Sequence, residues 1–453
     1  MRTLHAILRA AFILPVLFAG LGSAHAEDTA SEIAALREQI RLLDQKLRVL
    51  ERKQELKDEE AAAKAKTQVA VSASASGFGI TSNDKAFDLK FRLLAQVDGR
   101  FFIGDDVPAN STFLVRRLRP ILQGTVYGIY DFNVTPDFAG GTATTSSPSL
   151  YESFVAARFS PQFVVKAGKF ASPVALEPGG NRHFIESPFV NSLLPNRDIG
   201  IEVSGTTADG ALVYQLGVFN GARNNTTSFA VDAEDEKSVA GRLTAYPFKS
   251  IDGAVASLGL AVGFSIGNEE GSPQSIVTNS QQPLLSFGTL TGDGSHKRVS
   301  PSIFWYTGPF SAVAEYAWEN QDYRRSPAVI FSGTNTAWRA TVGYVLTGEE
   351  STPKGVTPKT SFDLSSGAWG AFEIAARVSS INLADELFTS TLGNLSATAN
   401  ARGATAYGLA FNWYLNRILR AQLSYEYTSF DGGGAGTLKH DENAVLSRLQ
   451  LSF

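Results

Sequence analysis

The chain has 453 residues, including 41 Gly, 30 Phe and 13 Tyr but one Met and no Cys, with a formal charge of −4 and a mean hydropathy of −0.04. Without Cys there is no disulfide scaffold, no thiolate chemistry and no Cys-ligated metal. The charge balance gives no nucleic-acid signal, and the near-zero hydropathy is too polar for a bundle of membrane helices.

The first segment reads as an export signal. Arg2 and Arg9 stand at the start, an apolar stretch runs from Ala10 to Leu21, and Ala24-His25-Ala26 supplies the small residues of a cleavage site. The stretch is too short for a single-pass anchor. A signal peptide over 1–26, cut after Ala26, is therefore expected, with export across the inner membrane of a Gram-negative cell. Beyond it no apolar run approaches the roughly 18 residues that a spanning helix needs.

Ile33, Leu36, Ile40, Leu43, Leu47 and Leu50 then alternate spacings of three and four. That is an a/d heptad seam, predicting a coiled-coil helix over 29–60. So short a seam needs help to associate, for example from an oligomeric barrel; one amphipathic helix lying on a barrel base is the alternative. Residues 61–85 turn Ala-, Lys- and Ser-rich without period and read as a linker.

From residue 86 the period is two. Phe87-Asp88-Leu89-Lys90-Phe91-Arg92-Leu93 segregates apolar and charged residues, as do Leu212-Tyr214-Leu216-Val218 and Leu419-Ala421-Leu423-Tyr425-Tyr427. Strands of about ten residues, the length a tilted strand needs to cross a bilayer, separate a membrane barrel from a soluble sandwich. Aromatics at strand ends, Tyr127 and Tyr130, Trp305 and Tyr306, Trp413 and Tyr414, read as interfacial girdles.

About sixteen strands are predicted, near 87–101, 111–127, 129–138, 150–159, 163–170, 199–206, 211–220, 238–248, 256–267, 296–306, 310–319, 335–346, 368–380, 403–414, 418–430 and 444–453. An even count puts both termini on the periplasmic side, so long connections should follow odd-numbered strands. Most do; 347–367 would be a long periplasmic turn or hide a missed hairpin. The expected fold is all-β: a 16-stranded transmembrane antiparallel barrel over 86–453, closed by the alternating Leu449-Gln450-Leu451-Ser452-Phe453 and wide enough for an aqueous lumen. An enzyme of this class is not expected. The three His past the signal (His183, His296, His440) are scattered over separate loops, with neither a Gly-x-Ser-x-Gly turn nor a His-Glu-x-x-His motif. No metal or cofactor is expected either.

Several stretches resemble one family, the phosphate-selective porins O and P. They are Phe113-Leu114-Val115-Arg116-Arg117-Leu118-Arg119 with Gly124-Thr125-Val126-Tyr127, then Ala167-Gly168-Lys169-Phe170-Ala171-Ser172-Pro173, Arg197-Asp198-Ile199-Gly200, Gly217-Val218-Phe219-Asn220-Gly221, Tyr344-Val345-Leu346-Thr347-Gly348-Glu349 and Asn412-Trp413-Tyr414-Leu415-Asn416. The resemblance runs in order over nearly the whole barrel. It implies a homotrimeric porin of the outer membrane, in contact with its lipid and lipopolysaccharide, passing small anions such as phosphate. It also implies an Arg ladder with Lys at the constriction, carried over by position to Arg116, Arg117 and Lys169, with Ser172 as a hydrogen-bond donor.

Parity adds the rest of the candidate path. Arg92 and Arg100 on the first strand, Arg117 and Arg119 on the second, and Arg242 later face the lumen. Arg116 falls on the lipid side, so it must lie near an interface or its strand must be bulged. Arg suits the task because its fork holds phosphate or carboxylate oxygens and stays charged. The connection between residues 171 and 198 carries Glu177, Arg182, His183, Glu186, Arg197 and Asp198 and is the candidate constriction loop; an external flap is the alternative. Inward acids (Asp88, Asp98, Glu152, Glu202, Glu315, Glu373 and Glu426) accompany the basics. A mixed wall favours general anion diffusion over a specific phosphate site. The other readings left open are a pore for neutral or cationic solutes and an envelope tether with an incidental pore.

Overall fold

The computed structural model describes residues 26–67, 69–104, 110–139, 148–178, 182–221, 235–397, 399–432 and 441–453. Residues 1–25 of the expected export signal lie outside them. The chain forms two units, residues 1–68 and 69–453. In the first, α1 (Ala26–Thr67) is one continuous helix. Its apolar seam, Ile33, Leu36, Ile40, Leu43, Leu47 and Leu50, is exposed, while Arg48 and Asp44 pair one turn apart at 3.1 Å on its charged surface.

The second unit begins with a hairpin, β1 (Val69–Ser74) and β2 (Gly77–Ser82). The barrel strands follow: β3 (Asp88–Ile103), β4 (Thr112–Val126), β5 (Tyr130–Asp137), β6 (Ser149–Ser160), β7 (Phe163–Ala171), β8 (Arg197–Thr207), β9 (Leu212–Phe219), β10 (Ser238–Ala245) and β11 (Gly259–Gly271). Two short strands, β12 (Ile276–Val277) and β13 (Pro283–Leu285), sit in the next connection, ahead of β14 (Thr291–Thr307), β15 (Phe310–Ser326) and β16 (Val329–Val345). A second small pair, β17 (Ser351–Thr352) and β18 (Gly355–Val356), precedes β19 (Ala371–Asn382), β20 (Gly403–Tyr414), β21 (Leu419–Asp431) and β22 (Glu442–Ser452). The 18-stranded sheet is the β1–β2 hairpin plus sixteen antiparallel strands, which close where β22 pairs β3 from Asn443↔Ile103 to Ser452↔Leu94. Closure removes the open edges that a lipid-exposed sheet could not satisfy.

Each predicted barrel strand has its counterpart, with three corrections. The expected linker over 61–85 is helix to Thr67 and then the β1–β2 hairpin. Its cause lies at the seam. The chain end Phe453 exchanges backbone hydrogen bonds with Leu93, so β22 leaves the edge of β3 below Leu93 unpaired. β2 fills it, from Phe78↔Phe91 to Thr81↔Asp88, with the Phe78 ring edge-on to Phe453 at 5.6 Å. Second, residues 320–334 are not a loop: β15 and β16 run on to a two-residue turn at 327–328. Their outward residues there include two polar cross-strand pairs, Asn320 with Thr334 (2.9 Å) and Asp322 with Ser332. Pairing therefore continues where apolar alternation has stopped. Third, the aromatic pairs do not both face lipid, because neighbours on a strand point oppositely: Tyr306 turns inward and Tyr414 is buried. The extended 346–370 turn is real, and its β17–β18 hairpin tucks inward, Val356 packing on Val345, Ala371 and Tyr414.

The interior is not an empty tube. The barrel has a terminal end, where β3 starts and β22 finishes, and an opposite, far end. Nearer the far end an apolar cluster of Phe189, Val190, Leu193, Leu284, Leu285 and Leu387 joins three inward-folded connections, 172–196, 272–290 and 383–402, to the wall.

Candidate functional site

The 172–196 connection crosses the lumen, and the sequence provides both sides of its seat. On the wall, inward glycines leave room for it. A Cβ at Gly263 would overlap the Val174 carbonyl oxygen, and one at Gly343 would lie 2.7 Å from His183 Nε2. On the loop, successive groups are tied to strands around the barrel. Arg242 of β10 donates to the carbonyls of Pro173 and Val174, and the Leu176 amide donates to Glu315 of β15 at 2.7 Å. Glu177 pairs with Arg339 of β16 at 2.7 Å, and Arg182 with Glu373 of β19 at 2.5 Å. The Phe189 amide donates to Ser379 at 2.9 Å.

Glu186 is the hub. Arg116 contacts it through Nε at 2.6 Å and Nη2 at 3.1 Å, Arg100 reaches it at 3.0 Å, and Arg448 lies at 3.7 Å while holding Asp98 with two hydrogen bonds of 2.7 Å. Burial alone would raise the Glu186 carboxyl, but the Arg116 guanidinium, then Arg448 and Arg117, hold it below the usual carboxylate range. Burial, reinforced by Arg182, Arg420, Arg339 and Arg377, pushes the His183 imidazole well below its usual value and keeps it neutral near pH 7. Arg116 can join this hub because β4 is bulged: Gln96 pairs Arg117, but the next residue Val97 pairs Val115. The extra residue brings two successive arginines inside.

The candidate path residues therefore divide. Arg100, Arg116, Arg182 and Arg242 hold the crossing loop. Arg119 pairs with Asp137 at 2.7 Å and stacks on Tyr151, whose ring also carries Arg197, itself 3.2 Å from Glu152. Lys169 is buried with Arg197 and Asp198 as charged neighbours. Its register opposite Ser153 and Ile199 puts it out of phase with inward Lys166, which pairs Glu202. Ser172 is buried at the root of the loop, its amide bonded to Asn196.

Six of the inward acids are matched by cations: Asp98 by Arg448, Glu152 by Arg197, Glu202 by Lys166, Glu315 by Arg339, Glu373 by Arg182 and Glu426 by Arg377. Among the described residues no ion pair within 4.0 Å engages Arg92, Arg117, Arg242 or Arg420. Arg117 instead donates to Gln96 at 2.8 Å, and Gln96 to Gln450 at 2.7 Å. Arg420, which stands opposite Gln450 on the neighbouring strand, donates to Asn412 at 2.9 Å and to the Arg182 carbonyl. The result is a neutral row flanked by two uncompensated guanidiniums on the terminal-end side of the crossing loop.

A second crossing leaves no signal in the sequence. The 272–290 connection spans to β21 and β22, where the Thr278 hydroxyl reaches Glu442 at 3.0 Å and Asn279 reaches Glu426 at 3.4 Å. Short polar residues such as these look like any solvated loop until the opposite wall is known.

A family model described as phosphate-selective porin O and P matches residues 87–453. Porin O of Pseudomonas aeruginosa is 23% identical over 423 residues, covering 83% of this chain and 91% of that protein. Among solved structures, the outer membrane channel DcaP of Acinetobacter baumannii superposes with a TM-score of 0.52 at 10% identity, over 83% of this chain and all of that one. In vitro folded OmpT of Vibrio cholerae, in its trimer form, gives 0.52 at 9% identity over 81% of this chain and all of that one. These structures share the fold.

Proposed function

The chain belongs to the phosphate-selective porin O and P family, and on that premise we propose that its barrel is a homotrimeric outer-membrane pore preferring small anions to cations. The observation that carries this reading is the residue of the charge pairing: Asp98, Glu152, Glu202, Glu315, Glu373 and Glu426 each stand against a cation, while Arg92, Arg117, Arg242 and Arg420 have no carboxylate partner among the described residues. In water a unit charge about 6 Å away contributes about 0.7 kcal/mol, and salt screens much of that beyond about 8 Å. Three or four such charges thus give a preference of several-fold to tenfold, not absolute exclusion. Trimeric assembly rests on the family and on the trimer form of OmpT.

The test is the reversal potential of the reconstituted protein in a planar bilayer across a KCl gradient. Chloride preference is expected, reduced in Arg117→Ala and Arg420→Gln; cation preference overturns the reading. Phosphate is the finer question. Block of the chloride current by phosphate, lost in Arg117→Ala, is the outcome that favours a phosphate site at the Arg117–Gln96 row. Without such block the pore passes small anions generally.

A further inference from the structure

On the terminal-end side of the crossing loop a cavity opens between the loop's first residues and strands β9, β10 and β14. Its walls include Ser172, Gln215, Arg242, Tyr246, Phe304 and Tyr306, with Pro353 at the tip of the β17–β18 hairpin beneath. Two features mark it as a site. Three aromatic rings line one side, Tyr246 edge-on to Phe304 at 5.8 Å and Phe304 beside Tyr306 at 6.4 Å. Arg242 spends Nε and Nη2 on loop carbonyls, and Nη1 makes no hydrogen bond to a described residue. The nearby acids Glu177 and Glu315 are both engaged by Arg339.

Tyr246 and Tyr306 are half-buried against the buried Phe304 ring, and Arg242 has two carbonyl partners but no carboxylate among the described residues. Ring surface left to water and a buried cation without a counter-charge are both unfavourable. A solute with a flat ring and an ionised carboxylate relieves both, the ring against the aromatic wall and the carboxylate on the guanidinium fork. We propose that this cavity is a binding subsite for small aromatic carboxylates on the permeation route. The inference rests on the anion reading above and adds a solute class to it. Tyr246 belongs to the terminal-end turn and its hydroxyl makes no described hydrogen bond, so its ring can be removed without releasing the crossing loop.

The experiment compares benzoate with acetate as blockers of single-channel chloride current, at equal charge and pH. Benzoate is expected to interrupt the current at about tenfold lower concentration than acetate, the scale of one added ring contact. Tyr246→Ala should bring benzoate to the acetate level, whereas Tyr407→Ala, on the outer face of the barrel, should not change the ratio. Equal block by benzoate and acetate overturns the subsite, as does a benzoate advantage that survives in both Tyr246→Ala and Tyr306→Ala. The reversal potential separates the two claims: chloride preference with equal block sinks only the subsite, and cation preference sinks the anion reading with it.

Discussion

Glu186 carries the largest share of the electrostatic work of any single residue in the crossing loop, because three arginines from three strands converge on it. Removing one partner from such a buried cluster typically costs about 3–5 kcal/mol. Glu186→Gln is therefore expected to loosen residues 182–194 and to raise chloride preference, since it strands Arg100 and Arg116. Faster amide exchange over 182–194 with an unchanged barrel signal, together with a shifted reversal potential, is the expected readout. The same loop should be acid-labile. Both His183 and Glu186 sit below their ordinary values, so the undocked loop binds more protons than the docked one, and docking weakens as pH falls. The His183 part begins below about pH 6.5 and the Glu186 part below about pH 4.3. Exchange protection over 182–194 should fall between pH 7 and pH 5, and His183→Gln should flatten that part of the profile. Protection that rises on acidification would contradict the assignment.

At the scale of elements, the wall and its loops are matched in shape as well as in charge. Gly263 on β11 lies directly under the Val174 carbonyl, so Gly263→Val must displace the root of the crossing loop, at a cost of about 1–3 kcal/mol. A lower melting temperature of the folded barrel with a changed single-channel conductance is expected. The seam is a second matched element. Deleting 69–82 uncovers the β3 edge at Asp88–Phe91 and the Phe453 ring, and the truncated barrel should unfold at lower temperature in detergent. An unchanged unfolding temperature would show that water satisfies that edge as well as β2 does.

For the whole molecule, the apolar seam of α1 is exposed from Ile33 to Leu50. We expect the helices of three protomers to associate through it, the barrels supplying the proximity that three heptads lack. Ile at a with Leu at d favours two strands in isolation, so a free peptide spanning 29–60 should dimerise weakly while the full chain gives trimers. Leu43→Asp should lower the dissociation temperature of the trimer on semi-native gels and leave conductance unchanged. Envelope defects at intact conductance, after deletion of 29–60, would instead favour the tether reading.

Much of this was legible in the chain alone. Period two marks the barrel strands because the lipid and lumen faces demand opposite chemistries of neighbouring residues, as in β21, where Leu423 and Tyr425 face out and Gln422, Ser424 and Glu426 face in. Parity likewise placed Arg117, Arg119 and Arg242 inside and left Arg116 either near an interface or on a bulged strand; β4 has the bulge. What tertiary structure alone decided is pairing across the lumen. Whether an inward Arg is a solute contact or a loop anchor depends on which carboxylate from a distant segment stands within reach: Arg116 meets Glu186 from 70 residues away, and Arg182 meets Glu373 from 191. Local period carries no information about such partners. It locates the wall, and only the folded loop determines which charges on that wall remain free to meet a solute.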